Sequence, residues 1–373
     1  MQNRAVHENI DAIASGPIAA AAAGVDGGAF PQATIDALRG AGLLGLMTPT
    51  AHGGLGGTPG DAARVVSRIA QECGSSAMVV CMHYSGAAVI AAHGSPAVNA
   101  AVARGEHLST LAFSEAGSRS HFWAPLSTAA LDGDTVTLSA RKSWITSARH
   151  ATAYVWSSQP ASAEGASTIW LVPADAAGLS IPRPFDGLGL RGNDSSPVVA
   201  EGVSIPAANR LGEDGDGFNV MMGVVLPLFN LLNASCSLGL MEGALARATA
   251  HVSGTRYAHL DSALADLPTI RAYLAKSKVK VDMVRGLWLD AIAAIEGGRP
   301  DAMLRVLEIK AAANDAAVEV TDTMMRICGG AAFRKDVGVE RYFRDARAGA
   351  VMAPTSDVLY DFIGKAVCGM DLF

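Results

Sequence analysis

The chain has 373 residues, half of them apolar and 17% charged, with a formal charge of −6. That length allows two or three domain-sized units sharing one sizeable core. The negative balance, with no clustered Lys or Arg, excludes a phosphate-neutralising nucleic-acid surface and leaves small molecules as partners. The most apolar stretch, residues 220–232, is too short for a membrane span and is expected to be a buried helix, so no membrane association is anticipated. Cys73, Cys81, Cys236, Cys328 and Cys368 form an odd, widely spaced set without metal-ligand spacing, which suits buried thiols in a reducing compartment. Residues 1–10 carry charges and no apolar run before a cleavage site, so the location expected is cytoplasmic.

Residues 1–107 are expected to form a helical domain, with apolar residues at helical spacing over 31–43 and 59–72. Between these lies the glycine-dense stretch 48–57. It lacks the Gly-Lys-Ser/Thr ending of a phosphate loop and is expected to be a connector. A β domain is expected over 108–212. Leu131-Asp132-Gly133-Asp134 is a turn signal, 135–140 alternates with β-branched residues, and 153–156, 168–172 and 198–205 supply further strands. No long helices intervene, which points to a barrel-like or sandwich arrangement and away from a parallel Rossmann sheet. Residues 213–373 turn helical again, at 218–252, 261–296, 302–327 and 355–367, as expected for a C-terminal four-helix bundle. The fold class is therefore α+β.

Several motifs could carry chemistry. Gly187-Leu188-Gly189-Leu190-Arg191-Gly192 fits GxGxxG, but the turn signal Asn193-Asp194-Ser195-Ser196-Pro197 follows in place of the helix N-terminus a dinucleotide requires. Residues 212–217 are acidic and glycine-rich without calcium-loop spacing, and are expected to be a solvated loop. Phe113-Ser114-Glu115-Ala116-Gly117-Ser118-Arg119-Ser120 ends a strand in a hydroxyl-rich turn, and Lys142-Ser143-Trp144-Ile145-Thr146-Ser147 ends another with an aromatic ring beside a hydroxyl. An isoalloxazine ring needs such flat apolar contact together with hydroxyl and backbone donors.

These segments, with Arg344-Asp345-Ala346 and Met352-Ala353-Pro354-Thr355-Ser356-Asp357, resemble the acyl-CoA dehydrogenase family over nearly the whole chain. Residues 114–120 are similar to the family's Thr-Glu-Pro-Gly-Ala-Gly-Ser turn, and Trp144-Ile145-Thr146 matches its Trp-Ile-Thr. The resemblance implies FAD as cofactor, contacted by Phe113, Ser114, Trp144, Ile145, Thr146 and Thr355, with Ser120 lining the acyl-thioester entrance. It also implies that Arg256 and the turn at Gly329 and Gly330 complete the FAD site of a neighbouring subunit in a homodimer or homotetramer. Of the family's Arg-x-x-Phe-Gly, Arg256-Tyr257-Ala258-His259-Leu260 keeps only the arginine, and the Gln before Gly-Gly appears as Arg326. The substrate implied is an acyl thioester of CoA or a carrier protein, oxidised between its α and β carbons. An electron-transfer partner or oxygen would be the acceptor.

One departure bears on the reaction. The family's closing signature has a glutamate, the base that removes the α-proton, where this chain has Ala353. Its other seat, near the start of the long bundle helix, is matched by Phe229 and Asn230, and residues 218–241 contain no Asp or Glu. Phe229 and Trp123 would shorten an acyl pocket or serve as core aromatics. Three replacements for the base can be named. Asp357, four residues after Ala353, would share its face on a helix or cap one. His121 follows Ser120, and His83-Tyr84 lies on an N-terminal helix. Ala353 itself keeps a backbone N–H able to polarise a thioester carbonyl. A same-fold flavin monooxygenase, or another flavoenzyme that is not a dehydrogenase, and a scaffold without chemistry are the alternatives.

Overall fold

Six helices precede the first strand in the computed structural model, which describes residues 2–118, 121–259 and 261–372. They are α1 (Gln2–Ile13), α2 (Ala19–Asp26), α3 (Gln32–Gly40), α4 (Pro59–Ala70), α5 (Gly74–His93) and α6 (Pro96–Ala103). A π turn at Ala14–Ile18 carries α1 into α2 and contains Pro17. Helix α4 begins where Thr58 and Asp61 form a reciprocal capping box with Pro59 at the first position, which satisfies donors the helix would leave unpaired.

Seven strands follow: β1 (Ser109–Ala112), β2 (Thr128–Asp132), β3 (Thr135–Ile145), β4 (Ala153–Ser158), β5 (Thr168–Pro173), β6 (Leu179–Ser180) and β7 (Ser196–Pro206). They form two sheets, β1-β4-β5 and β2-β3-β7-β6, antiparallel apart from the β1–β4 pair. Val136, Leu138, Val198 and Val203 of one sheet meet Tyr154, Trp156, Trp170 and Val172 of the other in a shared core, as in a sandwich.

The C-terminal region holds α7 (Gly217–Val220), α8 (Leu226–Gly254), α9 (Pro268–Glu296), α10 (Ala302–Cys328), α11 (Val339–Asp345), α12 (Arg347–Val351) and α13 (Ser356–Val367). The helix expected from Asp261 begins at Pro268 instead. Leu264–Asp266 forms a 3-10 turn closed by the Asp266 carboxylate on the Ala263 N–H, and Pro268 keeps the residue before it out of helical conformation. A second π turn, Met221–Val225, joins α7 to α8 just ahead of Pro227, which has no N–H to give the carbonyl four residues back.

Helix α5 and the span Gly217–Gly254 are long and apolar enough to cross a membrane, but 78% and 89% of their apolar windows are buried inside the protein. They are core helices, apolar all round because every side is covered. One hydrophobic cluster runs from the N-terminal helices through β-domain residues such as Val155 and Ile169 into the bundle, so helices and sheet share a seam.

The acidic stretch 212–217 is an anchor. The Asp214 carboxylate accepts N–H groups of Ala161 (3.0 Å), Ser162 (2.9 Å) and Ala163 (2.8 Å) and the Thr168 hydroxyl (2.6 Å). Partial burial opposes its charge, yet the Thr168 hydroxyl and these N–H groups hold the carboxyl well below the usual range. Asp214→Ala is expected to lower stability by about 1–3 kcal/mol, read from the urea midpoint. A depressed folded-state value places this contribution above the ordinary carboxylate range. The gap between wild type and variant should be flat above about pH 5 and shrink in acid.

Candidate active site

Strands β1 and β3 end side by side. The Ser143 N–H donates to the Ser114 carbonyl (3.0 Å) and the Ala116 N–H to the Arg141 carbonyl (3.3 Å), which sets the turn after β1 against the end of β3. The β3–β7 register shifts between Lys142 and Ile145, and Trp144 takes a left-handed φ of 59°. This bulge re-aims the strand end. Trp144 is turned outward, 69% exposed with its ring edge-on to Phe185, while Ile145 points into the sandwich core at 1% exposure.

The exposed ring borders a cavity of about 590 Å3. Phe113, Ser114, Glu115, Trp144, Thr146 and Ser195 line it from the β domain, and Met82 comes from α5. Val225, Leu226 and Phe229 come from the π turn and start of α8, and residues 351–353 close the far wall. Thr146 Oγ1 and Ser195 Oγ lie 3.1 Å apart. Six residues expected at the site, Phe113, Ser114, Trp144, Thr146, Phe229 and Ala353, thus share one cavity.

Others lie elsewhere. Ile145 is in the β core. Thr355 caps α13, its hydroxyl accepting the Val358 N–H. Asn230 is fully buried beside Phe229 in sequence, and neither of its amide atoms has a hydrogen-bond partner. Arg256 sits on the surface in an ion pair with Asp261 (2.5 Å), and Gly329 and Gly330 form an exposed turn after α10. Ser120 lies outside the described residues, as do Arg119 and Leu260.

The three replacement bases do not stand on this wall. Ala353 precedes a cis peptide bond to Pro354 and α13 starts only at Ser356, so Ala353 and Asp357 share no helix face; Asp357 is exposed in the first turn of α13. His121 is exposed and packs edge-on against Trp123, which in turn packs on Phe122 and Phe362. His83 is buried, with Nδ1 accepting the Ser109 N–H (3.1 Å) and Nε2 2.9 Å from the Leu44 carbonyl; burial pushes it down to about 4. Tyr84 donates to the Leu43 carbonyl (2.7 Å). Tyr84 thus braces the N-terminal domain, and His83 ties it to β1 as well.

A buried ion pair that no motif marks, Glu115 with Lys142, stands beside the cavity. Lys142 Nζ lies 2.6 Å from Glu115 Oε1 and donates to the Ser157 carbonyl (2.7 Å), with its ammonium 4.9 Å from the centre of the Trp156 ring. Glu115 also accepts the N–H groups of Leu126 (2.5 Å) and Ser127 (3.1 Å) and the Ser127 hydroxyl. The signal was present in β3, where Lys142 falls in phase with inward-facing Val136, Leu138 and Ala140; an inward lysine must find a partner. Glu115 is the one carboxylate among the residues described as lining the cavity. Burial opposes its charge, but the Lys142 ammonium and surrounding donors hold it below the usual range, while burial draws Lys142 down to about 8.

The GxGxxG segment packs and does not cradle. A side chain at Gly189 would clash with the Arg344 carbonyl oxygen, and the next N–H, that of Leu190, donates to the Asp345 carboxylate (2.6 Å). These contacts tie the β domain to Arg344-Asp345-Ala346 of the bundle.

The chain matches the family descriptions "Acyl-CoA dehydrogenase, N-terminal domain" over residues 2–104, "middle domain" over 110–203 and "C-terminal domain" over 215–368. It is 27% identical to a probable acyl-CoA dehydrogenase of Bacillus subtilis, covering 96% of this chain and 95% of that protein. Against a cyclohexane-1-carbonyl-CoA dehydrogenase of Geobacter metallireducens it is 29% identical over 92% and 91%. Butyryl-CoA dehydrogenase from Megasphaera elsdenii has a similar structure, with a TM-score of 0.91, 23% identity and 98% of each chain covered. So does FMN-bound TdsC from Paenibacillus sp. A11-2, at 0.87 and 21% identity over 98% and 97%.

Proposed function

Because the chain belongs to the acyl-CoA dehydrogenase family and is an oxidoreductase of that type, acting on CH–CH donors, we propose that its cavity holds the acyl end of a thioester against FAD. The observation that carries this reading is the cavity itself, which sets Trp144 and Thr146 on one wall and Ala353 and Phe229 among the others. The residues present suit a flavin: a flat exposed ring on Trp144, two neighbouring hydroxyls on Thr146 and Ser195, and the turn at Phe113 and Ser114. When bound, the flavin supplies the hydride acceptor. Arg256, Gly329 and Gly330 lie off this cavity, and in the proposed homodimer or homotetramer they serve the neighbouring subunit's FAD.

The chain's own part is to bind, orient and exclude water. Met82, Leu226 and Phe229 give the acyl chain an apolar wall, and the Ala353 backbone N–H is assigned to the thioester carbonyl. Among the described residues no side chain of the wall is a ready base, because the Glu115 carboxylate is committed to Lys142 and to the donors around it. The α-proton therefore leaves without a dedicated carboxylate, which makes for slow dehydrogenation. A second reading draws on the same observation: a flavoenzyme whose reaction needs no such base; TdsC, similar in structure, is a protein that holds FMN. The thioester carrier, CoA or protein, the electron acceptor, partner flavoprotein or oxygen, and a cytoplasmic location belong to the same proposal.

The absorbance spectrum of the purified protein, with mass spectrometry of released cofactor and anaerobic titration with butyryl-CoA and cyclohexanecarbonyl-CoA, tests it. Bound FAD that bleaches with a thioester is the result expected. Bound flavin that no thioester bleaches favours the second reading, and a colourless protein that takes up neither FAD nor FMN overturns both.

A further inference from the structure

Lys310 of α10 is fully buried, and no carboxylate of the described residues is among the groups acting on it. Its Nζ donates to the Met352 carbonyl (2.9 Å) and the Pro354 carbonyl (2.5 Å), the two residues flanking Ala353. Its ammonium lies 5.7 Å from the centre of the Phe229 ring, which lines the cavity. A buried ammonium without a counter-charge is costly, and a neutral donor would support a loop more cheaply. The charge therefore calls for a use.

We infer that Lys310 is a positioning residue for the reaction: it fixes and polarises the Met352–Ala353 peptide group, whose N–H the reading above aims at the thioester carbonyl. The Met352 C=O and the Ala353 N–H belong to one amide. A charge-assisted bond to the oxygen draws electron density away from the nitrogen, and hydrogen bonds in such a chain strengthen one another. The second bond, to Pro354, holds the other side of Ala353. The chain thereby strengthens a backbone donor at a point where it has no acidic side chain. The inference rests on the proposed thioester site, and the tests below separate the two.

Cys81 of α5 is the titratable group that acts on Lys310, while Phe229 covers it from α8. Burial draws Lys310 down to about 7 and pushes the Cys81 thiol up to about 12, so near neutral pH the lysine titrates beside an uncharged thiol. Its charge is present below about pH 7 and is lost above it.

The test uses flavin-loaded protein and two probes, butyryl-CoA and its thioether S-butyl-CoA, which lacks the carbonyl. Wild type should bind the thioester about tenfold more tightly than the thioether, the effect of one strengthened backbone hydrogen bond, and the preference should weaken as pH rises through 7. Lys310→Met should erase both the preference and its pH dependence and should raise hydrogen exchange in peptides covering residues 351–355, with α8 unchanged. Lys310→Gln, which keeps a donor without the charge, should restore slow exchange but not the pH dependence. It also serves where the methionine variant fails to fold. If wild type prefers the thioester and both variants keep that preference, or if exchange at 351–355 does not change in Lys310→Met, the role of Lys310 is overturned while the site reading stands. If wild type itself shows no preference, the thioester site fails and the inference with it.

Discussion

Lys142→Met is expected to lower the stability of the protein by about 3–5 kcal/mol, the cost of leaving a buried charge without its partner. Glu115 would remain enclosed with the Leu126 and Ser127 donors but without the ammonium that holds it ionised. The loss should be seen in urea unfolding and should exceed that of any exposed ion pair, such as Arg256–Asp261, whose removal should leave stability nearly unchanged. A depressed carboxyl contributes stability above its unfolded range and loses it as pH falls. The variant's deficit should accordingly be steady from about pH 5 to 7 and narrow below, where Glu115 takes up a proton. Adding Glu115→Leu should recover most of the loss; if the double variant is as unstable as the single one, the pair does not account for the effect. Because Glu115 and Lys142 join the turn after β1 to the end of β3, the single variant should also release flavin more readily, measured by ultrafiltration and absorbance.

Ala353→Glu is expected to speed reductive bleaching by butyryl-CoA by about a hundred- to ten-thousand-fold, the usual contribution of a positioned base. Ala353 lines the cavity, and the Lys310 ammonium behind it favours an ionised carboxylate. Anaerobic stopped-flow mixing measures the rate. An α-deuterated thioester should slow the variant, since proton removal then occurs in the accelerated step. A variant that binds flavin but bleaches no faster than wild type would sink the thioester reading of this cavity. Such a result would leave the second reading standing.

Much of this architecture was legible in the sequence because it rests on period and punctuation. Alternation from Thr135 through Ala140 gave strand β3, and Leu131-Asp132-Gly133-Asp134 gave its hairpin. The helix start at Pro268 was misread because apolar spacing continues smoothly through the 3-10 turn at Leu264–Asp266, and only the proline marks the boundary. Of the two expectations for Asp357, a face shared with Ala353 or a helix cap, the shared face fails for a related reason. Spacing of four implies a shared side only within one helix, and α13 begins at Ser356, beyond Ala353. Six of the residues expected at the site meet in one cavity, since the family resemblance carries positions as well as composition. The Glu115–Lys142 pair was there to be found in the strand phase of Lys142. Its partner was not, because which carboxylate meets an inward lysine depends on a contact between segments twenty-seven residues apart.

The π turn at Met221–Val225 accommodates one residue more than an α-helical path would need, and it leads directly into the wall formed by Val225, Leu226 and Phe229. Removing a single residue there would return the segment to ordinary pitch and turn everything before it by about 100° relative to α8. The shape of this pocket is thus governed by chain length as much as by side-chain size. Relatives differing by one residue in this helix could present different walls to their ligands even where the lining sequence is the same.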